Sequence, residues 1–198
     1  MNAAQPTASN PTPGPTGPQA PATTPKPLVA DEDMDLSLCT ILIVDDNAQN
    51  VELLQAYLES LPCRIVTAAD GIQAMRLVES AISSGGSPDN AVPDLILLDI
   101  MMPKMSGFEV CRRIKEDPAT RAIPVMKVTA LNELGDIERG VESGTDDFLT
   151  KPVNKLELLT RAKSLLRLRH YKRELDRHIA YERDIDQSRG EASDPAGS

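Results

Sequence analysis

The stretch Asp94-Leu-Ile-Leu-Leu-Asp-Ile-Met-Met-Pro-Lys-Met-Ser-Gly107 sets the fold. Four apolar residues, Leu95–Leu98, run without a break into Asp99, and Pro103 and Gly107 follow. A short continuous apolar run closed by turn-forming residues reads as a strand buried on both faces. Similar runs stand at Ile41–Val44, Ile65–Ala68, Val125–Val128 and Phe148–Leu149. Between them lie apolar stripes at helical spacing: Val51, Leu54, Leu58 and Leu61; Ala74, Leu77 and Ala81; Phe108, Cys111 and Ile114; Leu134, Ile137 and Val141. A fifth helix is expected from near Val153, carrying Leu158, Leu159, Ala162, Leu165 and Leu166. Five strands alternating with five helices make an α/β fold, a parallel sheet covered on both faces. Ligands of such open sheets bind at the carboxyl ends of the strands.

That edge carries the chemistry. The first strand runs into Asp45 and Asp46, the third ends on Asp99, the fourth on Thr129 and Ala130, and the fifth leads into Thr150, Lys151 and Pro152. Three clustered carboxylates repel one another unless a cation lies among them. A set of oxygen ligands with room for water favours Mg²⁺ over zinc. A carboxylate beside such an ion is a nucleophile for phosphorus, and a Lys and a hydroxyl suit the charge on the transferred group. Taken singly, each residue has a plainer reading. Asp45 and Asp46 would serve as helix caps, Thr129 as a strand residue, Lys151 as a surface charge and Phe148 as core.

Taken together, four blocks in order resemble the receiver family of two-component signalling: Ile41-Leu-Ile-Val-Asp-Asp-Asn47, Asp94 to Gly107, Val128-Thr-Ala130 and Asp147-Phe-Leu-Thr-Lys-Pro152. The resemblance covers roughly residues 38–168. It implies a flavodoxin-like five-stranded sheet in the order 2-1-3-4-5 with helices on both faces and, here, an extended C-terminal helix. It implies Asp99 as phosphoryl acceptor, with Thr129 and Lys151 contacting the phosphoryl group. It implies Asp45, Asp46, Asp99 and the backbone carbonyl of Met101 as the Mg²⁺ site. Thr129 and Phe148 would form the switch, Met101 and Leu131 would tune dephosphorylation, and Pro103 and Gly107 would shape the loop after Asp99. The expected donors are a sensor histidine kinase or a histidine phosphotransfer protein. The expected function is phosphoryl acceptance coupled to a change of shape, by a receiver standing alone and without turnover catalysis. The alternative is a regulatory subunit of a separate output enzyme.

The remainder of the chain bounds this reading. Residues 1–37 hold a Pro/Ala/Thr-rich tail: eight of sixteen prolines fall within residues 1–30, and Asp31, Glu32, Asp33 and Asp35 follow. Such a segment cannot offset the entropy of folding. Residues 38–168 form the receiver, 169–187 a helical extension and 188–198 a polar tail. Arg161 to Arg177 carries seven basic residues against two acids and, with the face of the fourth helix, fifth strand and fifth helix, is expected to meet a second copy or an output protein. The run from Thr150 to Leu168 is similar to receivers placed ahead of cyclic-dinucleotide enzymes. The net charge of −9 argues against a nucleic-acid partner. With no membrane-spanning stretch and no secretory signal, a cytoplasmic location is expected.

Other chemistries fit less well. A haloacid-dehalogenase-type phosphohydrolase needs a second Asp two residues after the nucleophile, where Met101 stands. A flavin site needs a hydroxyl- and glycine-rich loop where Asp45-Asp-Asn47 stands. Cys39, Cys63 and Cys111 are too widely spaced for zinc or a disulfide framework. His170 and His178 lie outside any histidine-kinase motif and are expected on a solvated helix face. Lys127, within the fourth strand, is expected to reach the sheet edge or a carboxylate, because a buried ammonium is costly unless paired.

Overall fold

A computed structural model describes residues 34–87, 90–130 and 144–192, with side chains to residue 183. The elements are β1 (Thr40–Val44), α1 (Ala48–Leu58), β2 (Arg64–Ala68), α2 (Gly71–Ser83), β3 (Leu95–Asp99), α3 (Gly107–Glu116), β4 (Val125–Thr129), β5 (Asp147–Thr150) and α4 (Lys155–Ala192). The five strands are parallel in the order β2-β1-β3-β4-β5. The sheet is therefore the expected one. The stripe Leu134, Ile137 and Val141, expected to form a helix between β4 and β5, lies outside the described residues, as do Leu131 and residues 1–33.

The central strands β1, β3 and β4 are wholly buried because each face receives alternate side chains. Ile41, Ile43, Leu95, Leu97, Met126 and Val128 pack against Leu54 and Leu58 of α1 and Leu158, Ala162 and Leu166 of α4. Leu42, Val44, Ile96, Leu98 and Val125 pack against Ala74 and Val78 of α2 and Val110, Cys111 and Ile114 of α3. Helix starts follow local chemistry. Asn47, Asp70 and Ser106 each accept first-turn N–H bonds as N-caps, so Asp45 and Asp46 do not cap α1.

Three boundaries differ from the sequence expectation. Met34 and Leu36, ahead of the expected start at residue 38, already pack on the core, and the Asp35 carboxylate caps a single 3₁₀ turn through Ser37. The last helix begins at Lys155 rather than near Val153, with the Asn154 side chain accepting from the Glu157 N–H. It continues to Ala192, so residues 188–192 are helical rather than tail.

Lys127 meets a ring that its place in the strand does not report. It is 1% exposed, on the α2–α3 side of the sheet, with Nζ 4.7 Å from the centre of the Phe108 ring. The face of an aromatic ring receives it. Burial pulls its pKa below 10.5. A lysine whose folded pKa is depressed binds its proton less tightly when folded. Its burial cost is thus fully present below the folded pKa and fades as pH rises toward 10.5. Lys127→Met is expected to raise stability at neutral pH by about 1 kcal/mol and to abolish the wild type's relative gain on going alkaline. Urea unfolding at two pH values measures both. A destabilised variant would show that the ring contact outweighs the desolvation.

Candidate functional site: an acidic cluster at the carboxyl edge of the sheet

The parallel strands bring their carboxyl ends to one edge. Asp45 follows β1, Asp99 closes β3, Thr129 closes β4 and Lys151 follows β5. The Lys151 N–H donates to the Thr129 carbonyl at 2.8 Å, which continues the sheet and sets the lysine beside the threonine. Asp45, Asp99 and Thr129 are buried, whereas Asp46 is exposed. One carboxylate oxygen from each of Asp45, Asp46 and Asp99 lies within 4.8 Å of the other two. Lys151 Nζ stands 2.9 Å from Asp45 Oδ2 and 3.3 Å from Asp99 Oδ1.

The Asp99 carboxyl is pushed above the usual carboxylate range, first by burial. The Lys151 charge opposes the shift and the Asp45 charge adds to it. Hard oxygen donors, two of them buried and at least one open to solvent, fit a hexacoordinate cation that keeps part of its water shell. The donor set therefore suits Mg²⁺, and one ammonium already balances part of its charge.

The loop after β3 is held close under the site. The Gly107 N–H donates to the Ile100 carbonyl at 3.0 Å, and a Cβ on Gly107 would lie 2.1 Å from the Asp99 carbonyl oxygen. Only glycine permits that approach. Lys104 in the same loop holds a left-handed backbone, φ 67°, and pairs with Asp70 at 3.4 Å. Met101 is 75% exposed, and its backbone N–H donates to the Asp99 carboxylate. Phe148 is 44% exposed at the edge strand, so the aromatic faces outward.

Asn50 belongs to the constellation and was not singled out by the sequence. Its Nδ2 donates to both oxygens of Asp45 at 3.1 Å, while the Asn47 N–H donates to Oδ1 at 2.9 Å. With Lys151, these donors fix the carboxylate from every side. The signal available was a polar residue one turn before Leu54 on the sheet-facing stripe of α1.

Known proteins agree with this geometry. The family model of the response regulator receiver domain matches residues 41–163. The chain belongs to the response regulator receiver family. Among its relatives, Response regulator PleD of Caulobacter vibrioides is 46% identical over 129 residues, 65% of this chain and 26% of that protein. The DNA-binding dual master transcriptional regulator RpaA of Synechocystis is 40% identical over 127 residues, 64% of this chain and 48% of that protein. The chain thus spans between a quarter and half the length of these relatives. Among solved structures, the signal receiver domain of a histidine kinase from Syntrophus aciditrophicus is 35% identical, with a TM-score of 0.57, covering 65% of this chain and 89% of that one. The phosphorylated cyanobacterial phytochrome response regulator RcpA is 32% identical with a TM-score of 0.54, covering 64% and 90%. As a receiver, the chain takes part in two-component signalling through phosphoryl acceptance. No helix among the described residues is long and apolar enough to cross a membrane.

Proposed function

We propose that Asp99 is the phosphoryl acceptor of this receiver, supplied by a histidine kinase or a histidine phosphotransfer protein. The convergence of three carboxylates within 4.8 Å under one bridging lysine supports this most directly. Asp99 is the central one: it closes a central strand and is bridged to Asp45 by Lys151. An Asp99 oxygen forms the bond to phosphorus as the donor's P–N bond breaks, and the histidine ring keeps the electron pair. Lys151 then moves its contact to the phosphoryl oxygens, and the Thr129 hydroxyl donates to one of them. Mg²⁺, held by Asp45, Asp46, Asp99 and the Met101 carbonyl, would neutralise charge on the transferred group. The residues turn over no external substrate. Slow loss of the phosphoryl group is governed by Met101 and by Leu131, which lies outside the described residues; both are apolar and orient no water. Mg²⁺ titration of Asp46→Asn is expected to give about tenfold weaker affinity than wild type, and equal affinities would remove Asp46 from the site.

The signal leaves through the edge strand. Thr129 and Thr150 are paired in register, as are Lys127 and Phe148, so a change at Thr129 is felt one strand away. Once the phosphoryl group draws the Thr129 hydroxyl inward, Phe148 turns from solvent toward the sheet and alters the surface beside α4. Beryllofluoride is expected to change self-association or partner binding of wild type and to leave Phe148→Ala unchanged, while Asp99 is still modified in both. Analytical ultracentrifugation reads this. A Phe148→Ala protein that responds as wild type does would show that the signal takes another face.

A further inference from the structure

The solvent side of the acidic cluster carries a sulfur. Met101 follows Asp99 by two residues, and its backbone N–H donates to the Asp99 carboxylate. Its side chain therefore starts beside the acceptor oxygens, while three quarters of the residue is open to solvent. Asp99 is itself only 6% exposed, so whatever attacks a group carried on it arrives from the solvent side. A methionine side chain is unbranched and turns about three bonds, so its thioether sweeps that approach.

Among the described residues no other sulfur is as open. Met102 and Met126 are buried, and Met34, Met75 and Met105 are half-buried against the two faces of the core. Cys111 is fully buried. Burial pushes the Cys39 thiol up to about 12 and the Cys63 thiol up to about 11. Neither presents at neutral pH the thiolate that reacts with peroxides. A thioether needs no deprotonation, so a peroxide arriving from solvent meets Met101 first.

We propose that Met101 is an oxidation site, at which a peroxide forms methionine sulfoxide and thereby shortens the life of the phosphoryl group on Asp99. The inference rests on the reading of Asp99 as acceptor and of Met101 as an apolar guard. The sulfur lone pair attacks one peroxide oxygen, the O–O bond breaks and an S–O bond forms. The proton on the transferred oxygen passes to the departing hydroxide, which leaves as water. Sulfur is oxidised by two electrons, and the peroxide is reduced by the same two. The product puts a polar S–O group where an apolar thioether stood. Its oxygen accepts a hydrogen bond from water, and beside Asp99 it holds that water within reach of the phosphorus. Methionine sulfoxide reductases return the thioether, so the change is reversible.

The full chain is treated with limiting hydrogen peroxide, mapped by fragment mass, phosphorylated with acetyl phosphate and Mg²⁺, freed of the donor and followed for loss of the phosphoryl group. Oxygen is expected on Met101 before Met34, Met75, Met102, Met105 or Met126. Loss is expected to be about fivefold faster than in the untreated chain, the worth of one neutral hydrogen bond to the attacking water. Met101→Leu, treated alongside, is expected to lose its phosphoryl group at the same rate with and without peroxide. Oxygen arriving first at one of the other five methionines or at a cysteine would overturn the proposal. So would a chain oxidised at Met101 that takes up no phosphoryl group or loses it no faster, or an equal acceleration in Met101→Leu. An untreated chain that gains nothing at Asp99 would instead overturn the acceptor reading, and this inference with it, before any peroxide is added.

Discussion

Asp99→Asn is expected to take up no phosphoryl group from acetyl phosphate and, in the same preparation, to be more stable than wild type when Mg²⁺ is absent. The two effects share one cause. Asp99 is buried within reach of two further carboxylates, and its carboxyl is pushed above the ordinary range. A carboxyl whose folded pKa exceeds its unfolded value binds its proton more tightly in the folded chain. Its ionisation therefore costs stability at neutral pH, and the cost is withdrawn as pH falls through the folded pKa. The amide removes the charge at nearly constant volume and gives up the Lys151 attraction, a net gain on the order of 1 kcal/mol. Wild type should become relatively more stable as pH drops below neutrality toward the carboxylate range, and the variant should lack that response. Chemical denaturation across this window measures it. An Asp99→Asn protein less stable than wild type at neutral pH would show that the lysine bridge outweighs the desolvation. Stored repulsion of this kind suits a site that must accept a cation and a phosphoryl group.

Lys151→Met is expected to act in the opposite direction, with a loss of about 3 kcal/mol and no productive phosphorylation. The ammonium bridges Asp45 and Asp99 at 2.9 and 3.3 Å, and its side chain is only 22% exposed. Removing one partner of a buried ionic cluster leaves the others uncompensated, which is the costly way to break such a set. Partial access to water keeps the loss at the lower end of that range. Mg²⁺ should restore part of the lost stability, because a cation that binds only the folded chain stabilises it by mass action. A Lys151→Met protein as stable as wild type without Mg²⁺ would mean that Asn50 and the backbone hold the carboxylates unaided.

The sheet was legible because the five strands are short, apolar and closed by acids or turn formers, and because parallel order puts all their carboxyl ends together. Asp45, Asp99, Thr129 and Lys151 are strand-end residues, so finding the strands found them. Asn50 was legible only as a polar residue on the sheet-facing stripe of α1; its partner, Asp45, is set by the angle at which α1 packs on the sheet. Lys127 was visible as an anomaly, but the ring beside it, Phe108, comes from α3 and depends on how that helix leans on the sheet. Met34 and Leu36 were not read as core because the acids around them mask two apolar contacts.

The most direct test of the central claim is the position of the phosphoryl group itself. Wild-type chain incubated with acetyl phosphate and Mg²⁺, reduced with borohydride to trap the acyl phosphate and digested, should carry its mark on the peptide spanning Leu95 to Met102, at Asp99 alone. A mark on Asp45 or Asp46, or a phosphoryl group found on His170 or His178 with Asp99 unmodified, would contradict the account.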